Sequence, residues 1–172
     1  MPNTKSVGVA FSDPELTSGT TITGAIIDST SKVLSNIASG LTASQQGATI
    51  ATTGNSDVFI IAPAAGVLTS AVFSGVDALA ASDTNYITFS VTNLGTTGSG
   101  SAVMLAATDA NTTKTTGGTA LTANAARTLS LSGTAANLVV AAGDRLRIRA
   151  AATGTLANTV TFPVYRLNFS VA

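Results

Sequence analysis

The sequence predicts an all-β protein, a jelly-roll-like antiparallel β-sandwich preceded by an extended N-terminal arm with at most a short helix. From residue 56 onward, short apolar segments that alternate with polar residues are separated by Gly, Asn and Asp, as in strands joined by turns. Seven or eight strands of this spacing are typical of a sandwich or jelly roll. Before residue 56, apolar residues are scattered among Thr, Ser and Gly. We therefore assign residues 1–55 to an arm and linker, and residues 56–172 to the β-domain.

The N-terminal part predicts few regular elements. D-P-E-L at residues 13–16 predicts a turn, because Asp and Pro suit the start of a helix but T-S-G-T-T follows too soon for a long one. Residues 21–27 predict a strand. Residues 29–40 predict a short helix, with apolar residues on one face, Ser or Thr as its cap and Gly at its end. We interpret residues 40–56 as a linker.

The β-domain shows strand patterns in close succession. In chain order they are D-V-F-I-I-A-P, V-L-T-S-A-V-F, N-Y-I-T-F-S-V-T-N, S-A-V-M-L-A-A, T-L-S-L-S, L-V-V-A, R-L-R-I-R-A and V-T-F-P-V-Y-R-L-N-F-S-V. The third alternates most clearly, with Ile87, Phe89 and Val91 on one face. In the last, the alternation slips by one residue, which predicts a β-bulge at residues 163–165.

The strand R-L-R-I-R places Arg145, Arg147 and Arg149 opposite the core-facing Leu146 and Ile148. The chain has only eight basic residues, so three of them stand in this run. One interpretation is an ordinary solvent-facing strand face. The other is a row of guanidinium groups that pairs with carboxylates of a neighbouring protein, because carboxylates within the same subunit are few.

The composition argues against catalysis and against a cofactor. The chain has no Cys and no His, which removes thiolate chemistry, the commonest general base and the commonest transition-metal ligand. Asp13 and Glu15 fit turn chemistry better than an acid–base pair. Asp77 and Asp83 lack the dense ligand pattern of a calcium loop. We therefore expect a protein that is not an enzyme and binds neither a cofactor nor a metal.

The charge content favours a protein that is packed in an assembly. Charged residues are 9% of the chain and the net charge is zero, whereas an ordinary soluble domain has about 25% charged residues. Balanced charge also argues against a nucleic-acid partner. No apolar run reaches the ~18 residues of a membrane helix, and the N-terminus lacks the apolar core of a secretory signal. We expect synthesis in the cytoplasm and no membrane partner.

The segment F-I-I-A-P-A-A-G-V-L-T-S-A-V-F resembles the opening of small β-sandwich modules in tailed-phage virion proteins, a strand followed by Pro-x-x-Gly and aliphatic-x-x-aliphatic. I-T-F-S-V-T-N matches the next strand, which ends in Asn. A-A-G-D-R-L-R-I-R-A matches a later A-G-D turn with its alternating strand, and T-G-T-L a Gly-Thr turn before the last strand. The resemblance covers about residues 57–171.

The resemblance implies a structural protein of the bacteriophage virion, either a capsid decoration (cement) protein or a module of a head fibre or tail. A cement protein would bind the major capsid protein on the capsid surface, bridge neighbouring capsomers and assemble as a homotrimer. The predicted oligomer or capsid interface residues are Val7, Val9, Phe11, Leu16, Arg145, Arg147 and Arg149.

Two other functions are weighed against this one. A receptor- or glycan-binding module of a fibre or tail is the first alternative, with Tyr86 and Tyr165 as the aromatic residues that could stack on sugars. A glycan depolymerase is the second, but such enzymes need paired carboxylates in a cleft, and the eight acidic residues are dispersed.

Overall fold

The computed structural model describes residues 40–171 and two short strands before them, β1 (Ile26–Ile27) and β2 (Val33–Leu34). The chain divides into two units, Met1–Asn36 and Ile37–Ala172. In the first unit, β1 and β2 pair antiparallel in a sheet of their own. The short helix predicted over residues 29–40 is therefore wrong at Val33–Leu34. Pairing with β1 offers this segment backbone hydrogen bonds to another strand, whereas an isolated short helix is marginal in water.

The second unit is an antiparallel β-sandwich with the strand order of a jelly roll, so the predicted fold class is confirmed. Its strands are β3 (Leu41–Gln46), β4 (Asn55–Ile61), β5 (Gly66–Ser74), β6 (Tyr86–Asn93), β7 (Ala102–Val103), β8 (Arg127–Leu129), β9 (Val139–Val140), β10 (Arg145–Thr153) and β11 (Val164–Val171). One sheet has the order β4-β10-β6-β7, and the other has the order β3-β11-β5-β8, with β9 also paired to β5. The late strands β10 and β11 are thus inserted between early strands.

The five-stranded sheet begins within the predicted linker. Strand β3 pairs with β11, from Leu41 opposite Phe169 to Gln46 opposite Val164. The linker interpretation of residues 40–56 is therefore wrong for this segment. Only Leu41 and Ala43 of β3 are partly buried, and an edge strand with so few apolar residues shows little alternation in the sequence.

The core lies between the two sheets and is built around three aromatic side chains. The ring of Phe73 from β5 lies 4.7 Å from that of Phe89 in β6 and 5.4 Å from that of Tyr165 in β11, measured between centroids. Ile87 and Val91 flank Phe89 on the same buried face, as predicted. The contact between Phe73 and Phe89 connects the two sheets directly, whereas Phe73 and Tyr165 are neighbours within one sheet.

The predicted β-bulge at residues 163–165 is wrong. Strand β11 alternates regularly, and the change of phase occurs before it, where Phe162 is exposed with a φ of 47°. A register shift exists elsewhere, because Asn168 pairs with Ser70 and Phe169 pairs with Leu68, which leaves one extra residue in β5. Because Phe162 is apolar but exposed, its position in the sequence pattern was wrongly interpreted as core-facing.

Candidate functional site

The three arginines of β10 lie on the outer face of the four-stranded sheet. Strand β10 is held between β4 and β6, so its outward side chains have a neighbour on each side. Leu146 and Ile148 are buried between the arginines, which confirms the predicted direction of all five side chains. The site is therefore a sheet surface and not a cleft between loops.

Arg149 forms an ion pair within its own subunit. Its cross-strand neighbour in β4 is Asp57, and the guanidinium donates two hydrogen bonds to the carboxylate, Nε to Oδ1 at 2.7 Å and Nη2 to Oδ2 at 2.6 Å. These hydrogen bonds from Arg149 hold the pKa of Asp57 below its usual value. The expectation that carboxylate partners are scarce within the subunit is therefore wrong for Arg149.

Arg147 and Arg145 have no such partner in the described part of the chain. Arg147 lies between Phe59 of β4 and Thr92 of β6, and its Nε is buried without a hydrogen-bond acceptor. The guanidinium of Arg145 lies against Gly98, where a Cβ atom would collide with it. Within residues 40–171, neither arginine forms a salt bridge. Neither guanidinium is therefore paired with a carboxylate of the described residues, although the charge of Arg147 also contributes, after the hydrogen bonds from Arg149, to the lowered pKa of Asp57.

Two large apolar side chains lie beside these arginines. Phe59 and Ile61 of β4 are 53% and 54% exposed, and they are the cross-strand neighbours of Arg147 and Arg145. We call Phe59, Ile61, Arg145 and Arg147 the outer patch. In the sequence, the run F-I-I indicates this patch. It makes β4 apolar on both faces, and one apolar face of such an edge strand has no partner within its own domain.

The outer face of the five-stranded sheet is polar at its centre. There, Thr42, Asn168 and Ser70 form one row across three strands. Thr42 Oγ1 donates to Asn168 Oδ1 at 2.8 Å, and Asn168 Nδ2 donates to Ser70 Oγ at 2.5 Å. These polar groups satisfy one another, so the two outer faces of the sandwich are chemically distinct.

A groove of about 300 Å³ opens on the outer face of β6. It is lined by Tyr86, Thr88 and Ser90 of β6, by Val103, by residues 105–109 and by Asn111, Thr112 and Lys114. At one end, Lys114 Nζ lies 2.8 Å from Asp109 Oδ1 and 4.9 Å from the centre of the Tyr86 ring. The hydrogen bond to Asp109 raises the pKa of Lys114. Sequence reasoning missed this groove because residues 105–114 show no regular pattern.

The two tyrosines have different environments. Tyr86 is half-buried at the groove, with its ring beside the Lys114 ammonium. Tyr165 is buried in the core, and burial raises the pKa of its hydroxyl above the usual value. The suggestion that Tyr165 stacks on sugars is therefore wrong, because its ring packs against Phe73 inside the sandwich.

Asn93, which ends the motif I-T-F-S-V-T-N, contacts Asp144 of the A-G-D turn. Asp144 of the A-G-D turn is buried, and its Oδ2 accepts hydrogen bonds from Asn93 Nδ2 and from the amide of Ala141, both at 2.8 Å. Asn93 Oδ1 accepts a hydrogen bond from the amide of Gly95 at 2.8 Å. This network ties the end of β6 to the start of β10 and so positions Arg145.

Other acidic residues of the domain stabilise loops. Asp77 accepts hydrogen bonds from the amide and hydroxyl of Thr161 at 2.7 and 2.6 Å, and these bonds lower the pKa of Asp77. Asp83 accepts hydrogen bonds from the amide and hydroxyl of Thr116 at 2.9 and 3.1 Å. Residues 40–171 contain no group of three or more Asp, Glu, His or Cys side chains placed to hold a metal ion.

The predicted arm anchors Val7, Val9, Phe11 and Leu16 lie outside the described residues. In the part of the chain that the structure describes, no helix is long and apolar enough to cross a membrane. Comparisons with protein-family models, curated proteins and solved structures found no match for this chain.

Proposed function

We propose that this protein is a structural component of a bacteriophage virion, a capsid decoration protein. It binds the outside of the capsid, bridges neighbouring capsomers and assembles as a homotrimer. The observation that carries the proposal is the outer patch, where two more-than-half-exposed apolar side chains flank arginines without carboxylate partners in residues 40–171. Aromatic residues and arginine are enriched in protein interfaces, whereas an isolated domain gains nothing from exposing them together.

The low charge of the chain and the resemblance of its motifs to phage virion modules support the same function. Full burial of a Phe or Ile side chain is worth roughly 1.5–3 kcal/mol, so one patch supplies a modest contact between subunits. A trimer held by such contacts presents three capsid-binding surfaces at fixed geometry and gains avidity without any further chemistry. The mechanism of stabilisation is then the addition of many modest contacts over a capsid.

The test combines native mass with capsid binding. We expect the wild-type protein to form a trimer by light scattering and to co-sediment with capsids of its own phage prepared without it. The double variant Phe59→Ser, Ile61→Ser is expected to lose at least tenfold in capsid binding while its circular dichroism spectrum is unchanged. Val139→Ser is the matched control, because Val139 is also 53% exposed but belongs to the other sheet. Unchanged capsid binding by the double variant would contradict the proposal.

The groove at Tyr86 favours a second candidate function, binding of a glycan by a receptor-binding module. An aromatic ring beside a charged pair at the end of a groove offers one stacking surface and several hydrogen-bonding groups. A glycan array probed with the wild-type protein and with Tyr86→Ala tests it. The candidate function requires binding by the wild type that Tyr86→Ala reduces at least tenfold. An array without wild-type binding rejects it.

A further inference from the structure

The carboxylates of the described domain are already engaged. In residues 40–171 they are Asp57, Asp77, Asp83, Asp109 and Asp144, and each accepts at least one hydrogen bond from a partner in the same range. The remaining side-chain carboxylates of the chain are Asp13, Glu15 and Asp28. A carboxylate that pairs with Arg145 or Arg147 and is not already hydrogen-bonded within the domain therefore comes from the N-terminal segment or from another protein.

The sequence around Asp13 and Glu15 complements the outer patch. F-S-D-P-E-L at residues 11–16 carries two carboxylates between Phe11 and Leu16. The patch carries two guanidinium groups beside Phe59 and Ile61. Each side thus offers two charges of one sign and two large apolar side chains.

We propose that residues 11–16 of a second copy of this chain bind the outer patch, with Asp13 and Glu15 paired to Arg145 and Arg147. This inference rests on the proposed assembly of the protein. Arginines at alternate positions of a strand lie about 7 Å apart. Two positions of a chain span about 7 Å only when the chain is extended, so the pairing requires residues 13–15 of the bound segment to be extended instead of forming the predicted turn. The apolar side chains of both copies then leave water.

A head-to-tail contact of this kind closes a ring when the rotation between copies is a third of a turn. Each copy then gives its segment to one neighbour and receives a segment from the other. This contact explains a trimer in which the outer patches of two copies do not face each other. Two facing patches would bring their arginines, and so like charges, together.

Charge reversal in the full-length chain tests the pairing. Arg145→Glu with Arg147→Glu, and separately Asp13→Arg with Glu15→Arg, are each expected to weaken trimer formation at least tenfold in sedimentation equilibrium. The chain with all four reversals is expected to recover trimer formation, which a merely structural role of these residues would not produce. Arg166→Glu is the matched control, because Arg166 is an exposed arginine of the other sheet, and it should leave the native mass unchanged.

The outcomes separate this inference from the proposed function. A wild-type monomer, unchanged mass in either reversed pair, or no recovery in the fourfold variant would overturn the inference. If the protein nevertheless co-sediments with capsids, the proposed function stands and the contact between copies is elsewhere. If the reversals behave as expected but capsids are not bound, the pairing stands and the capsid role fails. Circular dichroism of each variant confirms that a lost trimer is not a lost fold.

Discussion

Arg147 and Arg149 are two residues apart in one strand, yet their guanidinium groups have different roles. Arg149 lies opposite Asp57 and is held by two short hydrogen bonds, whereas Arg147 lies opposite Phe59 and its Nε has no acceptor among the described residues. The cross-strand neighbour therefore decides whether an arginine supports its own sheet or is available to another molecule.

The ion pair of Asp57 makes stability dependent on pH. The folded-state pKa of Asp57 lies below its unfolded value of about 3.9, so the stabilisation is complete above that pH and is lost as pH falls through the folded pKa. Asp57→Asn should lower the free energy of unfolding at pH 7 by about 0.5–1 kcal/mol, as for a partly exposed pair. Urea unfolding from pH 7 down to pH 2 should show this difference shrinking below about pH 4. A difference independent of pH would contradict this explanation.

The hydroxyl of Tyr165 is buried without a hydrogen-bond partner in the described structure. Because an unsatisfied buried polar group costs about 1–3 kcal/mol, Tyr165→Phe should raise the free energy of unfolding by about 1 kcal/mol. Urea unfolding measures the change, and Tyr86→Phe is the control, since Tyr86 is half-exposed. A loss of stability in Tyr165→Phe would show that the hydroxyl has a bonded partner.

At the scale of single elements, the turn before β10 connects two strands through one carboxylate. Asp144 binds the side chain of Asn93 at the end of β6 and the amide of Ala141 within the turn. The amide of Ala62, just after β4, also donates to the carbonyl of Asp144 at 2.8 Å. One residue therefore holds together the ends of three adjacent strands.

Loss of the Asp144 carboxylate should be costly. Asp144→Ala leaves Asn93 Nδ2 and the Ala141 amide without their acceptor in a buried site, so we expect a loss of about 2–3 kcal/mol in the free energy of unfolding. Asp83→Ala removes two hydrogen bonds from an exposed loop and should cost less. Thermal and urea unfolding of both variants give the comparison. Equal losses would indicate that burial of the network contributes nothing.

At the scale of the whole molecule, the fold class could be predicted because alternation and turn residues are local signals. Ile87, Phe89 and Val91 alternate without interruption, and the arginines of β10 do the same. Pairings between distant strands could not be predicted, because the register that brings Asp57 opposite Arg149 joins residues that are 92 positions apart in the sequence. The run F-I-I indicates apolar side chains on both faces of its strand. That its outward side chains form the exposed outer patch could not be predicted without the position of β4 at the edge of its sheet. Strand β3 was missed because only Leu41 and Ala43 among its residues are apolar, which leaves little alternation in the sequence.

The insertion of β10 and β11 between earlier strands has a consequence for synthesis. Strands β4 and β6 do not pair with each other, because β10 lies between them and pairs with both. In the same way, β11 lies between β3 and β5. While the ribosome is still making the chain, neither sheet has its central strand, and the apolar faces of the early strands remain open to chaperones and proteases. Completion of the sandwich must therefore wait until residues 164–171 leave the exit tunnel. A nascent chain that stalls before these residues is therefore expected to be degraded.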